Sequence, residues 1–598
     1  MTAGQSNSQP VRPPHRRWIA WAVLGLAALI TLLHGRAVNY GLFMDDYAHY
    51  RQLRECGWSL GELADACRLE LVGGVIDIWW LPECTLRFFR PVSFGLMKLT
   101  YTLSDWSPVA AHVVSLCWHL AACTLLMLLL RRLGARRGLS FGVAALFALH
   151  PGHVATVQWI ASQTELIVTT LLLASLLCYA EFRGWPNGDG VSVERSPRAR
   201  WTWGVAGVTL FAFALGCREN AIMLPFVVLT AEPLVRRQWR RPALFMYAIL
   251  GITAGVYLGV RSYYLGGAAL PPRPYIIPPT DPDFFRFALD KACYYMMGEF
   301  LLVPAVPLGG LAYLRDHPLL FYGSASLLIL TIAMLFWTNR RRVAGWLGPA
   351  CLLGFMAPVL PAFESPHHLY LPGVGWAILA MLLVEKIAGV SHEVPARSVR
   401  WREPLSGAIV ITSGLVFGVT THFFGLSLDT AQAVEDRVVE EIATAPRPVE
   451  DGDTLYIANL PMIAHYTQLA VEERTGKRDL RVVALTWSPR LLGMTAPCEL
   501  TQVDERTIDV RVAENSYFSG PSGLLVEQSA GKPLAEVLAG PLTHEHFSVE
   551  VLEMNADGVS ALHFAFERPI CQTGMHLFWG SQSRWAYQVP PERDGKWN

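Results

Sequence analysis

Residues 109–131, VAAHVVSLCWHLAACTLLMLLLR, contain no carboxylate and end on the first arginine of a basic cluster. A helix of this length crosses the roughly 30 Å hydrocarbon core of a membrane. Similar apolar runs occupy residues 18–36, 139–150, 164–182, 201–217, 219–235, 242–261, 318–337, 343–361, 369–388 and 404–425. The sequence therefore predicts an α-helical polytopic membrane protein with about 11 transmembrane helices, of which the third is short and broken at Pro151.

The composition supports a chain for which lipid is the main solvent. Of the 598 residues, 52% are hydrophobic and only 16% are charged, and the net charge is +0. The absence of a net positive charge argues against a nucleic-acid partner. The 11 cysteines show no CxxC spacing, so no zinc ribbon is indicated. A disulfide between Cys498 and Cys571 is an alternative if the C-terminal part faces an oxidising compartment.

Arginines predict the orientation, because short cytoplasmic loops retain basic residues. They cluster in every second loop, at positions 131–137, 195–200, 236–241, 340–342 and 397–402. Residues 1–17 are then a cytoplasmic N-terminus, and the first apolar run is a retained anchor because no small-residue cleavage site follows it. The C-terminal part is predicted to lie outside the cytoplasm.

Three regions follow from this pattern. Residues 18–425 form the predicted transmembrane domain, with a long outer loop at 37–108 and another at 262–317. Apolar spacing in the first loop suggests helices lying flat in the interface, and the second loop is rich in proline and aromatic residues. Residues 426–598 carry a net charge of −11, with 14 basic and 25 acidic residues, and predict a soluble extracytoplasmic domain.

That domain has the pattern of a small α/β fold with a mixed sheet. TLYIANLP predicts a strand, AHYTQLAVEERTG a helix that ends at Gly476, and LRVVALTWSP a second strand, as in a βαβ unit. RTIDVRV at 506–512 and parts of 547–566 alternate apolar and polar residues, which is typical of half-buried strands.

The strongest candidate site is Asp45-Asp46, just beyond the first predicted span. Two adjacent carboxylates near a membrane interface repel each other, and one with a raised pKa can act as a general base on a hydroxyl. The other can orient that hydroxyl, or the pair can hold a divalent cation. The alternative is a simple helix cap.

A second candidate, ALHPGHVATVQWIASQTEL, begins at Ala148. Pro151-Gly152 breaks a helix at membrane depth, where the freed backbone must line a cavity or be covered by protein. His150, His153 and Glu165 supply polar groups around this break. Metal ligation by the two histidines is conceivable, but polar residues that line a pocket are the preferred interpretation.

Two further groups lie on the same predicted side. Arg218-Glu219 interrupts apolar sequence, where Arg218 can bind a phosphate or form an ion pair within its own loop. Arg90 and Arg261 carry the same two interpretations. ESPHHLYLPGVGW contains His367, His368 and Tyr370 just before an apolar run, which alone would indicate only an interfacial belt. Together, the four groups predict a site at the extracytoplasmic surface.

The order of these motifs resembles the polytopic GT-C glycosyltransferases. FRPVSFGLMKLTYTL, HPGHVATVQWIASQTEL, CRENAIMLP and HHLYLPGVGW are most similar to the membrane half of the transmembrane and tetratricopeptide-repeat O-mannosyltransferase family and its bacterial relatives, over about residues 18–390. The resemblance implies transfer of a sugar from a polyprenyl-phosphate carrier to an acceptor hydroxyl, outside the cytoplasm and with inversion. It also implies a bacterial inner-membrane location.

Carried onto this chain, the resemblance assigns roles to individual residues. Asp45 or Asp46 matches the first-loop acid that acts as base and positions the acceptor. His150 and His153 match the HP-x-H segment, Arg218-Glu219 the charged pair, and Tyr370-Leu371-Pro372 the YLP segment. Arg218 is the expected cation for the donor phosphate. Arginine replaces the usual lysine there and the tetratricopeptide array is missing, so the acceptor is left open among protein, lipid and glycan.

Two alternatives remain at this point. One is a GT-C enzyme that uses an oligosaccharide-lipid donor, and the other is a transporter or scaffold without enzyme activity. A transporter is expected to place ionisable residues near the bilayer midplane and to show an internal repeat, and the sequence shows neither. No cofactor is required by the residues, although a divalent cation at Asp45 and Asp46 remains one alternative.

Overall fold

The computed structural model describes most of the chain. The ranges covered are 15–185, 196–235, 241–266, 271–306, 309–389, 402–489, 498–512, 515–539, 542–570 and 572–580. Several arginines used to predict the orientation lie outside these ranges, as does Cys571. Cys498 is buried and its Sγ lies 3.2 Å from the Tyr517 hydroxyl.

Helices dominate the first three quarters of the described chain. In chain order they are α1 His15–His34, α2 Asp46–Glu55, α3 Leu60–Asp65, α4 Pro91–Leu103, α5 Pro108–Arg132, α6 Arg137–Ala148, α7 Val154–Gln158, α8 Gln163–Arg183, α9 Pro197–Leu215, α10 Leu224–Val235, α11 Arg241–Leu265, α12 Phe284–Leu301, α13 Gly309–Arg315, α14 Pro318–Asn339, α15 Val343–Met356, α16 Gly373–Ile387, α17 Arg402–Ala443, α18 Thr467–Thr475, α19 Gly520–Ala530 and α20 Leu534–Val537. Four of them, α4, α5, α9 and α14, begin with proline, which has no amide hydrogen to leave unsatisfied at a helix start.

Eleven strands lie in the described first loop and the described C-terminal part. They are β1 Arg68–Val72, β2 Asp77–Ile78, β3 Cys84–Arg87, β4 Thr454–Ala458, β5 Arg481–Ala484, β6 Cys498–Gln502, β7 Thr507–Val512, β8 Leu542–Thr543, β9 Phe547–Asn555, β10 Gly558–Phe566 and β11 Met575–Trp579.

Helices long and apolar enough to cross a membrane confirm a multi-pass membrane protein. Within the described ranges there are 6: Arg17–Asn39, Pro108–Arg132, Ile160–Arg183, Ala243–Leu265, Pro318–Asn339 and Pro404–Ala443. A seventh span is obtained if Arg137–Ala148 and Pro151–Gln158, bent by 52°, count as one. Each of the remaining predicted runs contains a helix, but these helices fall short of the same test of length and hydropathy, so the number of spans remains a prediction.

The first outer loop differs from the expected flat helices. Helices form at α2, α3 and α4, but Arg68–Val72 is a strand that pairs antiparallel with Cys84–Arg87. The prediction of helix was wrong here because Gly73, with a φ of 90°, turns the chain after RLELV, and this segment pairs its main chain with Cys84–Arg87.

The second outer loop is also more ordered than expected. Within 262–317 the chain forms α12, an 18-residue helix whose inner face is buried, and the short α13. The predicted domain boundary at residue 426 falls inside α17, which has 42 residues and is therefore about 63 Å long. The length of this helix is about twice the thickness of the hydrocarbon core. It enters the predicted C-terminal domain, called the C-terminal unit below, without a linker.

The C-terminal unit contains the predicted βαβ unit. Strands β4 and β5 are parallel and are joined through α18, which ends at Gly476 with a left-handed φ of 74°. In place of one mixed sheet there are two sheets, a parallel one of order β11-β4-β5-β2 and an antiparallel one of order β6-β7-β10-β9-β8. Strand β2 comes from the first outer loop, so the loop and the C-terminal unit share a sheet and a core.

Candidate functional site

Asp46 is held in place by main-chain hydrogen bonds. Its side chain is 1% exposed. Oδ2 accepts from the Phe43 amide at 3.1 Å, and Oδ1 accepts from the Ala161 amide at 2.6 Å. Burial, and then the neighbouring Asp45, raise the pKa of Asp46 well above its ordinary value. Asp46 therefore fastens the first loop to the segment that precedes α8.

Asp45 is the more accessible of the two acids. It occupies the N-cap position of α2, but its side chain makes no capping hydrogen bond. The helix-cap alternative therefore does not explain why a carboxylate stands at this position. Its Oδ1 is buried and has no hydrogen-bond partner among the described residues. Burial penalises the charged form and raises the pKa of Asp45 to about 7.

A third acid, Glu435 of α17, approaches the loop that carries Asp45 and Asp46. Glu435 is fully buried, and its Oε2 accepts from the Met44 amide at 2.9 Å. Met44 has a φ of 51°, a left-handed conformation that is costly for a residue with a side chain. The hydrogen bond from Met44 to Glu435 fixes the turn that presents Asp45.

Arg218 is paired with α8 and not with its neighbour Glu219. Its Nε lies 2.8 Å from Glu165 Oε1, and a terminal nitrogen donates to Thr164 Oγ1 at 3.1 Å. The Arg218 side chain is 6% exposed and that of Glu165 is 0% exposed. The alternative of an ion pair within the 218–219 loop is therefore wrong.

Glu219 instead pairs with the first outer loop. Arg90 donates to Glu219 Oε2 through two nitrogens, at 3.2 and 2.9 Å. Arg261 lies with Arg90 and Glu219 in electrostatic range of the Tyr257 hydroxyl, and its Nε is buried without a hydrogen-bond partner in the described chain. We call Arg90, Glu165, Arg218, Glu219 and Arg261 the arginine cluster, which carries three cations and two anions.

One short segment connects the acids to the arginine cluster. Along residues 159–165, Trp159 donates to the Phe43 carbonyl at 3.2 Å, the Ala161 amide binds Asp46, and Thr164 and Glu165 bind Arg218. Ala161 lies in a short 3-10 turn, and Thr164 and Glu165 lie in the first turn of α8, which follows it directly. The two predicted groups, diacid and Arg218, are thus held by one short continuous segment.

The predicted histidines at 367–368 line the same region. The His367 ring lies 6.2 Å from the Trp159 ring, centroid to centroid. His367 Nδ1 and Ser365 Oγ form a hydrogen bond of 2.7 Å. Burial, and then the charges of Arg218 and Arg90, hold the pKa of His367 well below its usual range. His368 bonds the Tyr295 hydroxyl at 3.0 Å. Both imidazoles are neutral near pH 7.

His150, His153 and Tyr370 form a separate, fully buried group. The Tyr370 hydroxyl lies 2.7 Å from His119 Nδ1, and the His153 and Tyr370 rings are 4.7 Å apart. We call His119, His150, His153, Glu299 and Tyr370 the histidine cluster. The three predicted members have 0% exposure, so the structure buries them and does not place them on an open surface.

The diacid is a poor fit for a metal held by both carboxylates. Each oxygen of Asp46 already accepts a main-chain N–H, and in the described ranges Asp45 and Asp46 belong to no group of three ligand side chains.

Two acids of the site, Glu299 and Glu435, were not predicted from the sequence. Glu299 had a signal, because it is the single acid in the apolar stretch YYMMGEFLLVP, whereas Glu435 is one of several acids in its segment.

The comparisons with known proteins agree with the motif resemblance. No family model matches the sequence. The chain is 29% identical to Protein O-mannosyl-transferase TMTC3 of Mus musculus over 171 residues, which make up 28% of this chain and 17% of that protein. Human TMTC3 is 26% identical over 185 residues, 30% of this chain and 18% of that protein. The matched part is thus under a fifth of the length of these relatives.

Solved structures are similar at a lower level. An oligosaccharyltransferase from Archaeoglobus fulgidus is 11% identical, with a TM-score of 0.43, over 78% of this chain and 64% of that chain. ArnT from Cupriavidus metallidurans, bound to undecaprenyl phosphate, is 16% identical, with a TM-score of 0.38, over 78% and 85%. The sequence matches confirm that this chain resembles the O-mannosyltransferases named by the motif resemblance.

Proposed function

We propose that the protein is a membrane glycosyltransferase that transfers a sugar from a polyprenyl-phosphate carrier to an acceptor hydroxyl at the extracytoplasmic face of a bacterial inner membrane. The observation that supports this most directly is the segment 159–165, which hydrogen-bonds both the diacid loop and Arg218. Such a transfer needs a base at the acceptor and a fixed cation at the leaving phosphate, held at a constant separation.

In this proposal Asp45 is the base. Its carboxylate accepts the proton of the acceptor hydroxyl while that oxygen attacks the anomeric carbon. The bond from the anomeric carbon to the phosphate oxygen breaks, and polyprenyl phosphate leaves with the electron pair, so the configuration inverts. Asp46 and Glu435 position Asp45 through the main chain and do not touch the reacting atoms.

The arginine cluster is proposed to bind the donor phosphate. Three guanidiniums and two carboxylates leave one net positive charge, and the neutral His367 beside them adds none. The unpartnered Arg261 Nε is a donor that a phosphate oxygen can satisfy. Because Arg218 is already oriented by Glu165, the phosphate meets a cation that needs no rearrangement.

The sugar and the acceptor are proposed by class only. The curated relatives are named O-mannosyl-transferases, so polyprenyl-phosphate mannose is the first donor to test. The α/β unit reaches the diacid through Glu435, and we propose that it lies on the acceptor side, where a protein, lipid or glycan hydroxyl enters.

The test is carrier release by the purified full chain in lipid nanodiscs. A panel of polyprenyl-phosphate sugars and an oligosaccharide-lipid donor is incubated with wild type, Asp45→Asn and Arg218→Ala. Exposed residues of the same types supply matched controls, Asp65→Asn and Arg340→Ala. We expect release by wild type and both controls and loss in the two site variants. If no donor is consumed, or if the site variants keep pace with the controls, the proposal fails.

The proposed sidedness has its own measurement. In sealed inside-out vesicles, protease added on the cytoplasmic side is expected to leave residues 426–598 intact. Cleavage in this region from that side would reverse the orientation and move the site to the cytoplasmic face.

A further inference from the structure

The histidine cluster contains a buried acid that no cation in the described chain compensates. Glu299 of α12 has 0% exposure, and neither of its carboxylate oxygens has a hydrogen-bond partner among the described residues. The nearest ionisable nitrogen is His150 Nε2, at 3.8 Å from Oε2. A charged carboxylate without partners is costly in an apolar interior, so an unseen partner is expected here.

His150 does not supply that charge in its present state. Its Nε2–H donates to the Glu299 main-chain oxygen at 3.0 Å, while its Nδ1 accepts from the Gly152 amide at 3.2 Å. One nitrogen is therefore a donor and the other an acceptor, as in neutral imidazole.

His153 is oriented as a ligand. Its Nδ1–H donates to the Phe147 carbonyl at 2.9 Å, which leaves the Nε2 lone pair free, and this fully buried atom has no partner in the described ranges. A metal-binding histidine typically has this outer hydrogen bond to a main-chain oxygen. Space is kept beside Nε2 by Gly373, where an added Cβ would lie only 2.9 Å away.

The three side chains converge. One nitrogen from each histidine and one oxygen from Glu299 lie within 4.8 Å of one another, and within the described ranges no other set of histidine, cysteine or acid side chains does so. Ligands of a tetrahedral zinc ion, about 2.1 Å from the metal, are roughly 3.4 Å apart. The widest of these separations must therefore shorten by up to about 1.4 Å to close the site.

We propose that His150, His153 and Glu299 bind a first-row transition metal ion, for which Zn²⁺ is the probe. His153 Nε2 and the Glu299 carboxylate are its first ligands. His150 Nε2 becomes the third ligand when its proton moves to Nδ1. This change of tautomer breaks the hydrogen bond from Nε2 to the Glu299 carbonyl and the one from the Gly152 amide to Nδ1. Two histidines and one glutamate are a known zinc ligand set.

The ion would act as a clamp and not as a reagent. It joins the broken helix at Pro151 to α12, which also carries Tyr295 and through it His368. The ion thereby stabilises the packing of the broken helix against α12 and, through Tyr295, the position of His368. This inference does not depend on the proposed glycosyl transfer, because metal content and thermal stability are measured without any donor.

The test uses the tag-free full chain in detergent. The protein is stripped with chelator, reloaded with Zn²⁺, dialysed and analysed by mass spectrometry for bound metal. We expect about one ion per wild-type chain and a rise in melting temperature on reloading. Glu299→Gln and Gly373→Ala should lose both, because the first removes the anionic ligand and the second fills the space beside His153 Nε2. His317→Ala, an exposed histidine between α13 and α14, should retain both.

Glu299→Leu separates the metal site from a merely protonated acid. If Glu299 is neutral and donates directly to His153, wild type binds no more zinc than Glu299→Gln, and the leucine variant melts at or above the wild-type temperature. That result overturns the proposal. If the metal site exists, Glu299→Leu binds no zinc and melts below zinc-loaded wild type. X-ray absorption at the zinc edge should then show two imidazole ligands in wild type.

Discussion

The arginine cluster and the histidine cluster are neighbours, since Tyr370 lies in electrostatic range of Glu165, but their charges are compensated differently. In the arginine cluster, Glu165 and Glu219 are each paired with a guanidinium at 2.8 to 3.2 Å. In the histidine cluster, Glu299 has no such partner among the described residues, and the imidazoles bond main-chain oxygens or Tyr370. Fixed guanidiniums suit a ligand that carries its own negative charge, whereas a bare carboxylate with neutral imidazoles suits a cation.

The largest expected effect comes from breaking the arginine cluster at Arg218. Arg218→Ala removes the proposed phosphate ligand and leaves Glu165 buried without its cation. We expect carrier release to fall by about 10²- to 10³-fold, and the free energy of unfolding to fall by about 3–5 kcal/mol. Chemical denaturation and carrier release measure the two effects. Adding Glu165→Gln should restore part of the stability and none of the activity; recovery of both would contradict a role at the phosphate.

The two acids at 45 and 46 should separate chemistry from structure. Asp45→Asn is expected to reduce carrier release by about 10²- to 10⁴-fold with an unchanged melting temperature, because it removes the base. Asp46→Asn places an amide against two N–H donors and should cost about 1–3 kcal/mol of stability. Parallel melting and rate measurements test this division. The opposite pattern, a stable Asp46→Asn enzyme without activity, would make Asp46 the base.

The raised pKa of Asp45 predicts the pH dependence. The carboxylate form accepts the proton, and a pKa of about 7 means that this form is lost as the pH falls below that value. We expect the rate to rise with pH through about 7 and then level off, with a slope of about tenfold per pH unit on the acid side. Residual activity of Asp45→Asn should be flat over this range. The inflection should fall between about pH 6 and 8, roughly one unit on either side of this pKa. A wild-type profile without it would show that Asp45 is not the base.

The smallest effect is expected in the histidine cluster. Tyr370→Phe removes the hydroxyl that bonds His119 and should cost about 1 kcal/mol of stability, with little change in rate. Thermal melting and carrier release on the same sample measure it. A loss of activity comparable to that of Arg218→Ala would show that Tyr370 contacts the donor.

The helical membrane architecture and most residues of the candidate site were conspicuous in the sequence. Apolar runs long enough to span a bilayer identify helices without knowledge of their neighbours, because the lipid is a uniform solvent. Charged groups such as Asp45, Asp46 and Arg218 were conspicuous for the same reason, since a charge next to an apolar run needs an explanation. The βαβ unit at 454–484 was also local, as turn residues separate its three elements.

Only the tertiary structure decided the partners. Arg218 pairs with Glu165 and Glu219 with Arg90, from segments 53 to 129 positions away, although a charge beside them in sequence was available. Glu435 reaches Met44 because α17 continues far past the hydrocarbon core, and β2 joins β5 across some four hundred residues. Hydropathy and spacing specify which groups must be compensated, but the geometry of folding determines which group compensates them, because burial energy depends on composition and pairing depends on distance.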